Sequence, residues 1–285
     1  MTRQAVTIRK ALYEAARDLH SAGIETSVLD AQVLLGEVLH KNRTALIASE
    51  PFEQLSLEQY KRYRSLLELR CSGECVAYLI GRREFWGLDI QVGQAVLVPR
   101  PETETLVEAA LSLLVPDSKS TVLDLCTGSG AVAVALKHER PGCTIYASDI
   151  SKDALVVAQE NARLLCENAI TFIHSDLFEH ITGSFDLITA NPPYIPTDLI
   201  KLLPPEVQHE PIIALDGGLD GLSLIRKLIA QAAAYLAPGA SLLIEADPSQ
   251  MPKLKQLFAL NAYQDIRFWH DLSARQRVIG GNTKQ

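Results

Sequence analysis

From Thr121 onward, short apolar runs that read as strands alternate with longer stretches of helical periodicity, and this alternation limits the fold more than any other feature. Strands are expected at 121–126, 143–149, 170–174, 185–190, 240–246 and 263–269, with a last one at 276–280. Helices are expected at 130–138, 152–166, 220–236 and 250–260. A chain built this way forms a mostly parallel sheet with helices on both faces. Sheets of that kind bind ligands beyond the carboxyl ends of their strands. Those ends are therefore where function should be sought.

The first strand runs into Leu123-Asp124-Leu125-Cys126-Thr127-Gly128-Ser129-Gly130 and then into a helix. Gly128 and Gly130 allow the backbone to approach a ligand where side chains would collide. Asp149 ends the second strand, nineteen residues beyond Gly130, the expected place for a carboxylate that accepts hydrogen bonds from a ribose. Its other reading is a cap for the helix at 152–166. Ser175-Asp176 ends the third strand, where contacts to an adenine ring would fall. Taken alone, Gly128, Gly130 and Ala133 also fit a G-x-G-x-x-A dinucleotide pattern, so NAD stays open for this segment.

The fourth strand, Phe185 to Ala190, ends in Asn191-Pro192-Pro193-Tyr194. Two prolines stiffen the chain and hold the residue before each in extended conformations. Asn191 is thereby presented in one direction. Its side-chain oxygen, with a neighbouring carbonyl, makes a pair of acceptors suited to a planar NH2 group, and Tyr194 adds an aromatic wall. The bland reading is an Asn-Pro turn with a packed tyrosine. The pairing of this tetrapeptide with the glycine turn favours S-adenosylmethionine over NAD, since hydride transfer has no evident use for it.

Ahead of this region the chain reads as helical. Ile8, Ala11, Leu12, Ala15 and Leu19 recur at helix spacing, with Gly23 as a stop. Ser27 with Asp30, and Ser56 with Gln59, read as capping pairs before two further apolar stripes. Ser72-Gly73 marks a boundary, a hairpin is expected between Arg83 and Val98, and an apolar helix from about Leu106 to Leu114. The division expected is a helical domain at 1–73, a linker with a hairpin at 74–98 and a catalytic domain at 99–285.

Charge bears on partners. Residues 1–75 hold ten Lys/Arg and ten Asp/Glu, so the net charge of −7 lies wholly in the rest of the chain. A surface that grips nucleic acid usually has the opposite sign. The five cysteines are scattered, with neither zinc spacing nor a disulfide framework, and read as reduced thiols of a cytosolic protein. No run reaches the length of a membrane span, and the amino terminus lacks a signal-type apolar stretch.

Several further motifs accompany these: Ala77-Tyr78-Leu79-Ile80-Gly81, Arg83-Glu84-Phe85-Trp86-Gly87, Pro99-Arg100-Pro101-Glu102-Thr103-Glu104, Glu210-Pro211 and Ala214-Leu215-Asp216-Gly217-Gly218. Asp271-Leu272 with Arg277-Val278 completes the set, which covers nearly the full chain. The whole resembles the HemK/PrmC family, the protein-(glutamine-N5) methyltransferases of peptide chain release factors. The resemblance implies an α/β class I S-adenosylmethionine-dependent methyltransferase, Rossmann-like, with a mostly parallel seven-stranded sheet and a small N-terminal helical bundle that recognises substrate. It implies methyl transfer to the glutamine of a Gly-Gly-Gln motif, with S-adenosylhomocysteine as product and no metal.

By the same resemblance, cofactor contacts map to Cys126, Thr127, Gly128, Ser129, Gly130, Asp149, Asp176, Leu177 and Asn191. Asn191, Pro192 and Tyr194 would be catalytic. The substrate would meet these and Pro193, with Phe85 and Glu102 at the entrance; the plainer readings of those two are hairpin core and helix cap. A cytoplasmic monomer that acts on a protein, with neither nucleic acid nor membrane as partner, is expected. Three positions depart from the family pattern: Cys126 for Gly, Ala240 for Gly, and Ala246-Asp247 for Ile-Gly. If Cys126 has a positive φ, it costs about 1–2 kcal/mol of local strain. The rival readings are an adenine-N6 methyltransferase of DNA or RNA, and a binding protein without catalysis.

Overall fold

The computed structural model describes residues 6–48, 52–167 and 169–284. They fall into two compact units. The first reaches to Gly81 and takes in Pro204–His209; the second comprises Arg82–Leu203 and the chain from Glu210 on.

The first unit contains helices α1 (Ile8–Ser21), α2 (Ser27–Leu39), α3 (Arg43–Ile47), α4 (Leu57–Cys71) and α5 (Val76–Ile80). The apolar stripe of α1 is buried at Ile8, Ala11, Ala15 and Leu19, against Leu34 and Leu35 of α2 and Tyr63 and Leu67 of α4. The Tyr63 hydroxyl, sunk in that core, donates to the Ala31 carbonyl at 2.9 Å. Ser56 and Gln59 form the expected capping box at the start of α4. Ser27 and Asp30 do not form one, since α2 begins after Thr26 without a side-chain cap. Asp30 turns inward instead and accepts from Arg70 Nε at 2.8 Å. A buried guanidinium is a far stronger partner for a carboxylate than one backbone N–H.

The second unit starts with a hairpin, β1 (Arg82–Phe85) and β2 (Leu88–Gln91), turning at Trp86 and Gly87, both with positive φ. Helix α6 (Glu104–Leu113) leads to the main sheet of β3 (Thr121–Leu125), β4 (Thr144–Asp149), β5 (Ile170–His174), β6 (Phe185–Ala190), β7 (Leu236–Glu245), β8 (Gln264–His270) and β9 (Gln276–Asn282). The crossings use α7 (Ala131–Glu139), α8 (Lys152–Cys166), α10 (Ser223–Ala232) and α11 (Met251–Leu260); α9 (Pro205–Gln208) belongs to the first unit. The strand order is β5-β4-β3-β6-β7-β9-β8, parallel from β5 to β7, with β9 antiparallel to both neighbours. The expected seven-stranded sheet is thus present. Because helices cover both faces, β3 and β6 are buried almost along their whole length rather than at every second residue.

Two boundaries moved for local reasons. The helix expected from 220 begins at Ser223, because Gly221 sits at φ +71° and cannot continue a right-handed turn. The strand expected from 240 begins at Leu236, which pairs with Phe185 ahead of a register shift.

Candidate active site

The chain leaves β3 toward β4 on one side and returns through β6 on the other, so the order reverses between β3 and β6. A crevice opens at such a point. Leu125 pairs with Ala190, so the turn starting at Cys126 and the tetrapeptide starting at Asn191 emerge side by side. Leu125 also pairs with Ser148, which brings Asp149 to the same level. Sheet register therefore unites segments far apart in sequence.

The glycine turn is tightly braced. Cys126, Gly128 and Gly130 all have positive φ, at 57°, 54° and 78°. Cys126 thus pays the strain expected of a non-glycine residue there. Thr127 N–H donates to the Ser148 carbonyl at 3.0 Å, and Gly130 N–H to the Thr127 carbonyl at 2.8 Å. The Thr127 hydroxyl donates to Asp124 at 2.6 Å, and the Thr189 hydroxyl of β6 to its other oxygen at 2.7 Å. Burial pushes the Asp124 carboxyl up to about 6, against the pull of those hydroxyls. A Cβ on Gly130 would lie 3.0 Å from that of Ala158 in α8, whereas one on Gly128 would meet nothing. Gly130 therefore serves helix packing, and Gly128 keeps a space clear beside the cavity.

Asp149 accepts from Gly128 N–H through Oδ2 and from Ser151 N–H through Oδ1, each at 2.9 Å. Burial raises its carboxyl, opposed by backbone donors at Ser151, Gly128 and Ile150. The cap of α8 is Ser151, not Asp149. Asp149 instead ties the end of β4 to the glycine turn.

Asn191 Nδ2 donates to Thr103 Oγ1 at 3.2 Å. The chain beyond the tetrapeptide is pinned by a parallel bridge between Ile195 and Asp216. Ile195 N–H donates to the Leu215 carbonyl at 3.0 Å, and Gly217 N–H to the Ile195 carbonyl at 2.8 Å. Asp216 receives the Thr197 hydroxyl and Gly218 N–H. Gln250 Nε2 donates to the Tyr194 carbonyl at 2.9 Å, and a Cβ on Gly221 would collide with that carbonyl. Arg100 and the Val98 N–H both reach the buried Glu210 carboxylate, at 2.6 and 3.2 Å.

These elements enclose a cavity of about 440 Å³, within the range of small-molecule sites. Cys126, Thr127, Gly128, Ser129, Asp149, Asp176, Leu177, Asn191 and Pro193 line it. Gly130 and Pro192 are buried beside it without lining it. Tyr194 does not form its wall, since the side chain packs against the core cluster behind the tetrapeptide. Phe85 is 1% exposed, and neither it nor Glu102 lines the cavity; Glu102 lies 3.8 Å from Arg275. Phe85 ends a hairpin strand facing inward, which is the plainer of its two readings. Sequence reasoning assigned no role to Thr103, Glu245 or Asp216. Glu245 left a trace, a carboxylate closing the apolar run Leu242-Leu243-Ile244.

Comparison with known proteins adds a decisive point. The PrmC N-terminal domain family matches residues 10–81, and the Methyltransferase small domain family residues 103–200. The release factor glutamine methyltransferase of Moorella thermoacetica is 42% identical over 96% of this chain and 98% of its own. That of Escherichia coli K12 is 39% identical over 96% and 98%. The chain belongs to the release factor glutamine methyltransferase family. A methyltransferase structure from Pyrococcus furiosus superposes with a TM-score of 0.53 at 17% identity, covering 70% of this chain and 90% of that one. That likeness shows the fold alone.

The family resemblance inferred from the motifs and the α/β methyltransferase fold are thereby both established. Within this release factor glutamine methyltransferase family chain, the cradle suits an adenosyl ligand on structural grounds. Gly128 leaves room at the turn, and the ends of β4 and β5 supply polar groups at Asp149 and Asp176.

Proposed function

We propose that this enzyme transfers a methyl group from S-adenosyl-L-methionine to the side-chain nitrogen of the glutamine in the Gly-Gly-Gln motif of peptide chain release factors. The observation that carries the reading is the orientation of Asn191. Its Nδ2 is engaged by Thr103, so its Oδ1 is the atom left to accept, at a strand end adjoining the glycine turn. The homologues named for this activity support the substrate class.

When bound, the cofactor supplies an electrophilic methyl group on a sulfonium sulfur. Thr127, Gly128, Asp149 and the Asp176-Leu177 segment, which line the cavity, would hold it there. Asn191 Oδ1 and the Pro192 carbonyl accept the two hydrogens of the glutamine carboxamide. An amide nitrogen is a weak nucleophile, and two acceptors on its hydrogens favour the positive charge that develops as the N–C bond forms and the S–C bond breaks. They also fix the nitrogen in line, so positioning supplies much of the rate. The proton then leaves through these acceptors to water. The helical unit, whose residues 1–75 balance ten Lys/Arg against ten Asp/Glu, is the proposed docking element for the release factor, and the cytoplasm the proposed compartment.

Mass spectrometry of purified release factor incubated with this chain and S-adenosylmethionine tests the reading, with duplex DNA and RNA as parallel substrates. A methyl group on the glutamine side chain is expected. Methylated adenine with untouched glutamine would overturn it.

A further inference from the structure

Behind Asn191 runs a buried polar chain that the proposed cradle does not by itself require. Thr103 is buried, and its hydroxyl and that of Tyr194 lie close enough to the Glu245 carboxyl to hold down its affinity for a proton. Register explains the meeting: Ala190 pairs with Ile244, so the residues that follow, Asn191 and Glu245, lie at one level. Glu245 is 1% exposed, and its Oε2 lacks a hydrogen-bond partner, as does Nε of the buried Arg277. An ionisable oxygen kept dry and incompletely bonded is costly, and such groups gather at functional sites.

Donor counting gives the chain a direction. A carboxylate only accepts, and a hydroxyl has one hydrogen to give. Asn191 Nδ2 donates to Thr103 Oγ1, so the hydroxyl hydrogen points away from Asn191, and Thr103 offers it only lone pairs. The carboxamide must then turn its NH2 inward and its oxygen toward the cavity. A hydroxyl freed from the carboxylate could donate to Oδ1 instead. The reversed amide would present a donor to the donor of the substrate.

We propose that Thr103 and Glu245 are positioning residues for methyl transfer: the carboxylate orients the Thr103 hydroxyl, and the hydroxyl fixes the Asn191 carboxamide with its oxygen toward the substrate nitrogen. This rests on the reading of Asn191 as the acceptor. Burial pushes the Glu245 carboxyl up to about 7, and Glu102 adds to the rise. Arg277 and the hydroxyls of Thr103 and Tyr194 oppose it. Once protonated, Glu245 can donate to Thr103 and release the hydroxyl hydrogen toward Asn191. The lock therefore holds above about pH 7 and loosens below.

The test uses the full chain with purified release factor, comparing Thr103→Val and Thr103→Ser in the wild-type and Asn191→Ala backgrounds. Thr103→Val should lower kcat about tenfold, the effect of one lost hydrogen bond in the transition state. Thr103→Ser should restore most of that, and calorimetric affinity for S-adenosylhomocysteine should be unchanged throughout. In the Asn191→Ala background Thr103→Val should have no further effect. Glu245→Gln should abolish an acidic limb of the kcat profile near pH 7 while any limb from Asp124, near 6, persists. Equal losses in both backgrounds, or an acidic limb unaltered in Glu245→Gln, would overturn the proposal and leave the acceptor reading standing. Full turnover by Asn191→Ala alone would instead remove the acceptor reading, and the proposal with it.

Discussion

Replacing Glu245 by Gln should make the protein relatively more stable as the solution becomes alkaline. The carboxyl is raised from 4.5 to about 7, chiefly by burial. Between those values the folded chain retains a proton that the unfolded chain has released. Stability falls with pH wherever the folded state binds more protons. The stabilising contribution of that proton is full below pH 4.5 and lost as pH rises through about 7. At 1.36 kcal/mol per pH unit, the loss amounts to about 3 kcal/mol. Gln carries no such dependence. Asp124 and Asp149, whose carboxyls are also raised, titrate in both proteins and cancel in the difference. Urea unfolding followed by circular dichroism at about pH 5 and pH 8 measures that difference directly. The variant should gain about 2–3 kcal/mol on the wild type between the two conditions. A constant offset at both would refute the assignment of a raised proton affinity to this buried carboxyl.

Two further outcomes follow from the glycine turn. Gly130→Ala forces a Cβ to within 3.0 Å of that of Ala158 while holding φ at +78°. Left-handed strain and overpacking together should cost about 2–4 kcal/mol in urea unfolding, and a loss below about 1 would mean the turn relaxes freely. Asp149→Ala removes the acceptor of the Gly128 and Ser151 N–H groups. It should weaken calorimetric binding of S-adenosylhomocysteine before it lowers turnover at saturating cofactor, and unaltered affinity would take Asp149 out of the site.

Much of this was legible in the chain because strand ends announce themselves. The glycine turn, Asp149 and Asn191 each follow an apolar run, and the alternation of elements placed them at one edge of a parallel sheet. Strand order supplied the rest. That Leu125 faces Ala190, and Ala190 faces Ile244, depends on pairing between segments distant in sequence, which local pattern does not encode. Glu245 and Thr103 were hidden for that reason. Tyr194 and Phe85 each carry two readings, and the sequence does not choose between them: the Tyr194 side chain packs against the core behind the tetrapeptide, and Phe85 lies on the inner face of its hairpin. Ser27 and Asp30 had the spacing of a cap, but Arg70, forty residues on, claimed the carboxylate.

The proposed acceptor pair is tested most directly by comparing binding with turnover in Asn191→Ala. S-adenosylhomocysteine affinity measured by calorimetry should stay close to that of the wild type. Methylation of release factor by the same preparation should fall by about 10²-fold or more, as expected when an oriented polar contact to the reacting group is lost. Parallel loss of both, or turnover left intact, would contradict the role given to this side chain.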